Sequence, residues 1–310
     1  MRLLLIRHGE SVDNVAGLYA GSRDSPLTNH GVLQARRLGA HLADLGRRHA
    51  LGPVKRIFTS NLQRAYRTAE AIAHAQADSR ATDACDVESV SASGNRRRPS
   101  VVQLPELREK DFGSDEGKKY GTRAAEKRDP GVFPGDAETR EAMRARVHQF
   151  LTGHLEPYIA EASPLLSDSD VIVIVAHGII LNSLVRAMLA RYPAHAGVQL
   201  GSPAGSSDFS VAWSNTGVLQ ARLRTSLAPS MSQGKDLASS SSPSVVSDVD
   251  SRSRMALGPF VIESTNNVDH LQGLKKTRGG IGSSKFDSRQ KTMDTFFRPT
   301  AKKRKHEGSD

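Results

Sequence analysis

The sequence predicts an α/β fold: a three-layer sandwich with a mostly parallel central sheet flanked by helices, followed by a disordered C-terminal tail. Three observations carry this reading. Short apolar runs of strand length alternate with longer stretches of helical spacing, the order that builds parallel sheets. One run, Val171-Ile172-Val173-Ile174-Val175, is continuously β-branched, the pattern of a strand buried on both faces. Two runs end in a histidine-glycine pair, His8-Gly9 and His177-Gly178, and open α/β sheets bind ligands at the carboxyl ends of their strands.

The elements follow in chain order. Leu3 to Ile6 reads as a short buried strand ending in Arg7-His8-Gly9-Glu10. Thr28 caps a helix to Leu45, with Val32, Ala35, Leu38, Leu42 and Leu45 on one face. Arg56 to Ser60 is a second strand, and Ser60 caps a helix running through Ile72. Residues 77–100 are Ser- and Arg-rich and read as a surface insertion, and Leu104 to Gly117 has little periodicity. Glu138 to Ile159 has helical spacing with Val147, Leu151 and Leu155 apolar. After the β-branched run comes an apolar helix, Ile179 to Leu189, then two strands, Phe209 to Trp213 and Gly217 to Leu223. Residues 1–225 therefore read as one domain. Residues 226–257 read as a disordered Ser-rich insertion, and 258–272, around Phe260-Val261-Ile262, as a final edge strand or docking segment. Residues 273–310 read as a disordered basic tail.

Composition narrows the class. The chain has 310 residues, 37% hydrophobic and only 5% aromatic, which is low for two fully packed domains. No run approaches the ~20 apolar residues of a membrane span. The opening MRLLLIRHGE has too short an apolar stretch for a signal peptide. The single cysteine, Cys85, excludes a disulfide framework and a cysteine-built zinc site, and points to a reducing, intracellular home. No ligand spacing suggests a metal, and no cofactor is expected. The net charge is +10, and the last 40 residues hold eleven basic residues against four acids, so a roughly balanced domain carries a basic tail.

The chemistry concentrates at the strand ends. A neutral imidazole is a nucleophile when its other ring nitrogen donates to a fixed acceptor. Beside His8, Arg7 offers a planar fork for phosphate oxygens, and Gly9 lets a bulky anion approach the backbone. Arg64 falls near the start of a helix that follows a strand, a position suited to anions. His177 follows the most apolar strand and reads either as a second site histidine or as a hydrogen-bonded core residue.

These residues carry a family resemblance. RHGES, Asn14 and PLTNHGVLQA (26–35), TSNLQRAYRTAEAI (59–72), LREKDFGSDEG (107–117) and VIVIVAHG (171–178) together resemble, in order, the four motifs of the histidine phosphatase superfamily, also called phosphoglycerate mutase-like. The resemblance spans most of residues 1–225, with a short return near Phe260. It implies that His8 is a nucleophile forming a phosphohistidine, with Arg7, Arg64 and His177 around the transferring phosphoryl group. It implies Glu109 as the general acid and base, four residues before Gly113, with Glu106 and Asp111 as competitors in the same acidic loop. Asn14, Ser11 and Gly178 match phosphate-site positions, although Asn14 and Ser11 also fit as turn residues. The third motif of the glycolytic mutases typically reads ERHYG, and this chain has Glu109-Lys110-Asp111-Phe112-Gly113. The later GES-x-x-D pattern appears as Ala137-Glu138-Thr139, with Ala142 at the acidic position. Hydrolysis of a phosphomonoester, on a small molecule or a protein, is therefore expected ahead of phosphoglycerate-type mutase activity.

The tail carries a second message. Gln290, Met293, Phe296 and Phe297 fit Q-x-x-[LIM]-x-x-[FY]-[FY], which resembles the PIP box that docks on the sliding clamp PCNA. A helical turn would bring Met293 and both phenylalanines to one side, as a plug for an apolar pocket. Lys302-Lys303-Arg304-Lys305 resembles a nuclear localisation signal read by importin. Nuclear or cytoplasmic residence is expected, with no membrane partner. Two roles fit: a phosphatase directed by its tail, or a clamp- or DNA-associated interaction protein on a phosphatase fold. The intact Arg7, His8, Arg64 and His177 favour the first.

Overall fold

The computed structural model describes residues 1–82, 98–120, 135–162, 167–193, 209–226 and 256–275. Cys85, the tail residues Gln290, Met293, Phe296 and Phe297, and the basic cluster 302–305 lie outside the described residues.

Six strands form one mixed sheet: β1 (Arg2–Arg7), β2 (Val54–Ser60), β3 (Ser100–Leu104), β4 (Val171–Ala176), β5 (Val218–Ser226) and β6 (Ala256–Asn267). The order across the sheet is β3-β2-β4-β1-β5-β6. The first four are parallel, and β5 and β6 add an antiparallel edge. One face is covered by α2 (Asn29–Arg47) and α3 (Gln63–Thr82). The other is covered by α4 (Arg140–Phe150), α5 (Glu156–Ala162) and α6 (Gly178–Arg191), while α1 (Val12–Ala16) lies in the loop after β1.

The continuous apolar run of β4 follows from its central position. Val171, Val173 and Val175 enter the α2/α3 core, while Ile172, Ile174 and Ala176 enter the core beneath α4 to α6, all fully buried. Burying each valine or isoleucine contributes about 1.5–3 kcal/mol, so this strand anchors both layers. Its pairing with β1 sets Arg7 against Ala176, and the amide of His8 donates to the Ala176 carbonyl at 3.0 Å. The register therefore brings two His-Gly pairs, 169 positions apart in the chain, to the same edge.

Several sequence expectations need correction. Phe209 to Trp213 is not a strand: Asn182 of α6 holds it, accepting from the Val211 amide (2.9 Å) and the Trp213 indole (3.0 Å). An apolar stretch here satisfies its backbone through side chains, Asn182 at Val211, Arg186 at the Phe209 carbonyl and Arg7 at the Trp213 carbonyl, instead of a ladder. The expected insertion at 77–100 is shorter, because α3 continues to Thr82 and Ser100 opens β3, a strand hidden by its polar ends. Ser60 accepts from Leu62, and the cap on Gln63 comes from Asp24 at 2.7 Å, beyond the reach of local pattern. The helix expected over 138–159 is α4, a π-helical turn (Leu151–Leu155) and α5 in succession. Thr28 caps α2 as expected, accepting from Gly31. Ser226 closes β5, and Ala256 and Leu257 already belong to β6, which forms one edge of the sheet.

Candidate active site

The loops after β1 and β4, the start of α3 and the 107–117 loop converge at the carboxyl end of the parallel strands. His8 is 3% exposed, and its Nδ1 lies 2.7 Å from the Gly9 carbonyl. A carbonyl only accepts, so Nδ1 carries the proton and the lone pair sits on Nε2. Burial, with the charges of Arg64 and Arg7, holds the His8 pKa well below the usual imidazole value. The ring is therefore neutral, the state a nucleophile needs.

His177 has the opposite tautomer. Its Nδ1 accepts from Arg64 Nε at 3.2 Å, so the proton is on Nε2, which is buried without a hydrogen-bond partner among the described residues. The two rings stand 4.9 Å apart at 59°. Burial again, with Arg64, His8 and Arg7, lowers the His177 pKa well below the usual value. One ring thus offers a lone pair and the other an N–H donor.

Arg64 is 1% exposed and is held on every side. Nη1 donates to the Arg23 carbonyl (2.6 Å), and Nη2 donates to those of Ala20 and Gly21 (3.0 Å each). Those carbonyls belong to a loop clamped from behind by Glu116. Its carboxylate accepts from the amides of Gly21 (3.0 and 3.1 Å), Ser22 (3.0 Å), Arg23 (3.4 Å) and Phe112 (3.0 Å). Successive backbone N–H groups of this kind form an anion-binding nest. Gly21 is required by close approach: a Cβ there would stand 1.8 Å from the Lys110 carbonyl oxygen.

Arg7 donates from Nη1 to the Trp213 carbonyl at 2.6 Å, and its Nε is buried without a partner among the described residues. Burial lowers its pKa, opposed by Glu109. Of the three candidate carboxylates, Glu109 is the one at the start of α6 beside His177, accepting from Ile179 (3.0 Å) and Ile180 (3.1 Å). Glu106 faces His154 at 3.9 Å, and Asp111 accepts from Gly113 at 2.7 Å, closing its own turn. Gly178 opens α6, so its amide is among those without an intrahelical acceptor.

Ser11 caps α1, its hydroxyl accepting from the Asn14 amide at 3.3 Å. The Asn14 side-chain oxygen accepts from Ser11 N (3.2 Å) and from Asn215 Nδ2 (3.1 Å), so its NH2 is the group left to donate elsewhere. Asn215 also donates to the His8 carbonyl at 3.2 Å. Sequence reasoning passed over Asn215, Glu116, Asp24 and Asn182. Glu116 stood inside the third motif, and the other three carry no local signal.

A profile of the histidine phosphatase superfamily (branch 1) matches residues 3–84 and 87–215. A probable phosphatase of Schizosaccharomyces pombe is 29% identical over 301 residues, covering 94% of this chain and 78% of that protein. A probable phosphoglycerate mutase of Klebsiella pneumoniae is 34% identical over 196 residues, covering 63% and 78%. Among solved structures, a mycobacterial hydrolase superposes with a TM-score of 0.50 at 21% identity, covering 86% of this chain and 98% of its own, a likeness of fold.

Proposed function

The chain belongs to the histidine phosphatase superfamily, and from that membership we propose that it hydrolyses a phosphomonoester through a phosphohistidine on His8. The observation that carries the proposal is the pair of opposite tautomers, an Nε2 lone pair on His8 and an Nε2–H on His177, in rings 4.9 Å apart. Nε2 of His8 attacks phosphorus in line as the bond to the leaving oxygen breaks. Arg7, His177 Nε2–H and the Gly178 amide at the start of α6 neutralise the phosphoryl oxygens, with Arg64 behind His177 adding to the positive field. Glu109 gives its proton to the leaving oxygen. It then takes one from the water that attacks phosphorus, the P–N bond breaks, and phosphate leaves with His8 again neutral.

Hydrolysis is favoured over mutase chemistry by the third motif, where Lys110-Asp111-Phe112 stand in place of Arg-His-Tyr. The likeness to a probable phosphatase over 94% of the chain points the same way. The test is turnover on a panel of phosphomonoesters by wild type and His8→Ala, each with acid-quenched trapping of protein-bound phosphate. We expect His8-dependent turnover and a trapped phosphohistidine. Isomerisation of 3-phosphoglycerate in the presence of the 2,3-bisphosphate, without phosphate release, would instead establish a mutase.

For the tail, the pattern Gln290, Met293, Phe296, Phe297 supports docking on PCNA, and Lys302 to Lys305 supports importin-dependent entry to the nucleus. Full-length protein is expected to bind PCNA and to lose that binding with Phe296→Ala/Phe297→Ala. A tagged chain is expected to become cytoplasmic when the four basic residues are replaced. PCNA binding unchanged by the double substitution rejects the docking role.

A further inference from the structure

We propose that the leaving group of the substrate is an aromatic or heteroaromatic alcohol without a second anionic group, seated on the ring of Tyr120. The inference rests on the phosphatase reading and extends it to substrate class.

Tyr120 is a large apolar ring left 54% exposed, although it is firmly placed. Its amide donates to the Gly17 carbonyl at 2.8 Å, beside a bridge between Leu18 and Lys119. Its ring packs edge-on against Tyr19 with centroids 4.5 Å apart, and Tyr19 in turn rests on the buried Phe112 at 4.9 Å. Gly17 ends α1, the helix that carries Asn14, so this aromatic stack stands on the element that adjoins His8. Partial burial raises the Tyr120 hydroxyl pKa, and the charges of Arg7, Glu109 and Arg64 act on it as well, as expected for a ring near the mouth of the site. A pre-positioned ring offers a flat face at little entropic cost, and a flat π-face is its natural complement.

Charge at the same rim argues against a second anion. Arg23, whose guanidinium lies against Gly117, is paired with Asp13 at 3.3 Å. Lys118 is paired with Asp115 at 3.2 Å. Arg7 has no carboxylate within ion-pair distance among the described residues, and it faces the site of phosphoryl transfer. Of these described cations Arg23 and Lys118 are held by carboxylates and Arg7 is left for the phosphoryl group, while the ring of Tyr120 stays exposed.

The test compares benzyl phosphate with n-propyl phosphate, whose leaving alcohols have similar intrinsic reactivity, using full-length wild type, Tyr120→Ala, Tyr120→Leu and Tyr120→Phe. Benzyl phosphate is expected to have the higher wild-type kcat/KM. Tyr120→Ala is expected to lower it, mainly through KM, about tenfold more than for n-propyl phosphate. Tyr120→Leu should show a similar selective loss, and Tyr120→Phe should retain the preference. 3-Phosphoglycerate, with its carboxylate, is expected to be a poorer substrate than either. Equal losses on both esters with Ala and with Leu, or no loss on either, overturns the inference while leaving the phosphatase reading intact. Absence of His8-dependent turnover on all three substrates overturns that reading, and this inference with it.

Discussion

Arg64 and His177, 113 residues apart in the chain, share one buried hydrogen bond of 3.2 Å from Nε to Nδ1. That bond fixes which nitrogen of His177 carries the proton. The guanidinium cannot drift, because its other nitrogens donate to three carbonyls of the 20–23 loop. A positive charge alone would not set the tautomer. What does so is a planar donor locked in direction.

Arg64→Lys tests this directly. The charge survives, but an ammonium group cannot serve His177 and three carbonyls in those directions. We expect kcat to fall about 10²–10³-fold, the loss typical of a removed transition-state donor. The 15N shifts of the His177 ring are expected to move from a single tautomer to a mixture. Near-wild-type kcat in Arg64→Lys would show that charge, and not orientation, is the contribution of Arg64.

Glu116 is expected to matter for both stability and turnover without touching substrate. Glu116→Ala removes a charged acceptor from the amides of Gly21, Ser22, Arg23 and Phe112, at a cost of about 2–4 kcal/mol in urea unfolding. Glu116→Gln, which keeps one oxygen acceptor, should lose less and keep part of the turnover. Gly21→Ala should be as damaging as Glu116→Ala, because the atom it would meet is a backbone oxygen at 1.8 Å.

Asn215→Ala should separate positioning from folding. It removes two hydrogen bonds, to the His8 carbonyl and to the Asn14 side chain, in a turn outside both hydrophobic cores. The side-chain oxygen of Asn14 then keeps only the Ser11 amide as a donor. We expect kcat/KM to fall about tenfold with a loss of stability near 1 kcal/mol, read by steady-state kinetics alongside thermal unfolding.

The pH dependence follows from depressed histidines. His8 and His177 are lowered well below 6.5, chiefly by burial. His270, buried and with Nε2 2.9 Å from Thr216 Oγ1, is lowered to about 4 by burial and by His41. Below pH 6.5 the unfolded chain binds protons that the folded chain refuses. Stability is therefore fully present above 6.5 and falls as the pH drops toward the folded values. Each such histidine steepens the fall by about 1.4 kcal/mol per pH unit. Urea unfolding from pH 7 to 4.5 should show this slope, and His270→Gln should reduce it by one histidine's share. The acid limb of kcat/KM that belongs to His8 is expected well below pH 6.5.

The sequence by itself determined the sandwich and named the candidates for the site. The β-branched run 171–175 could only be a strand with both faces covered, because five consecutive apolar residues leave no side for water. Thr28 announced its helix, because a cap acts on amides within one turn of itself. His8, Arg7, Arg64 and His177 were legible because each sits beside a strand end or a helix start that local periodicity marks, whereas Glu109 was named only by the family resemblance, in a loop with little periodicity.

The tertiary structure decided how those residues act. Whether His177 donates or accepts depends on Arg64, and Arg64 is held by carbonyls whose loop depends on Glu116, 94 positions from Ser22. Asn215 reaches His8 across 207 positions, and Asp24 caps a helix 39 residues downstream. Hydrogen bonds of this kind have no period and no sequence spacing. They depend on direction and distance between loops, which exist only once the sheet register has set Arg7 against Ala176. Composition and periodicity report which residues are buried and where elements begin. The proton positions that make two histidines different reagents come from the folded contacts.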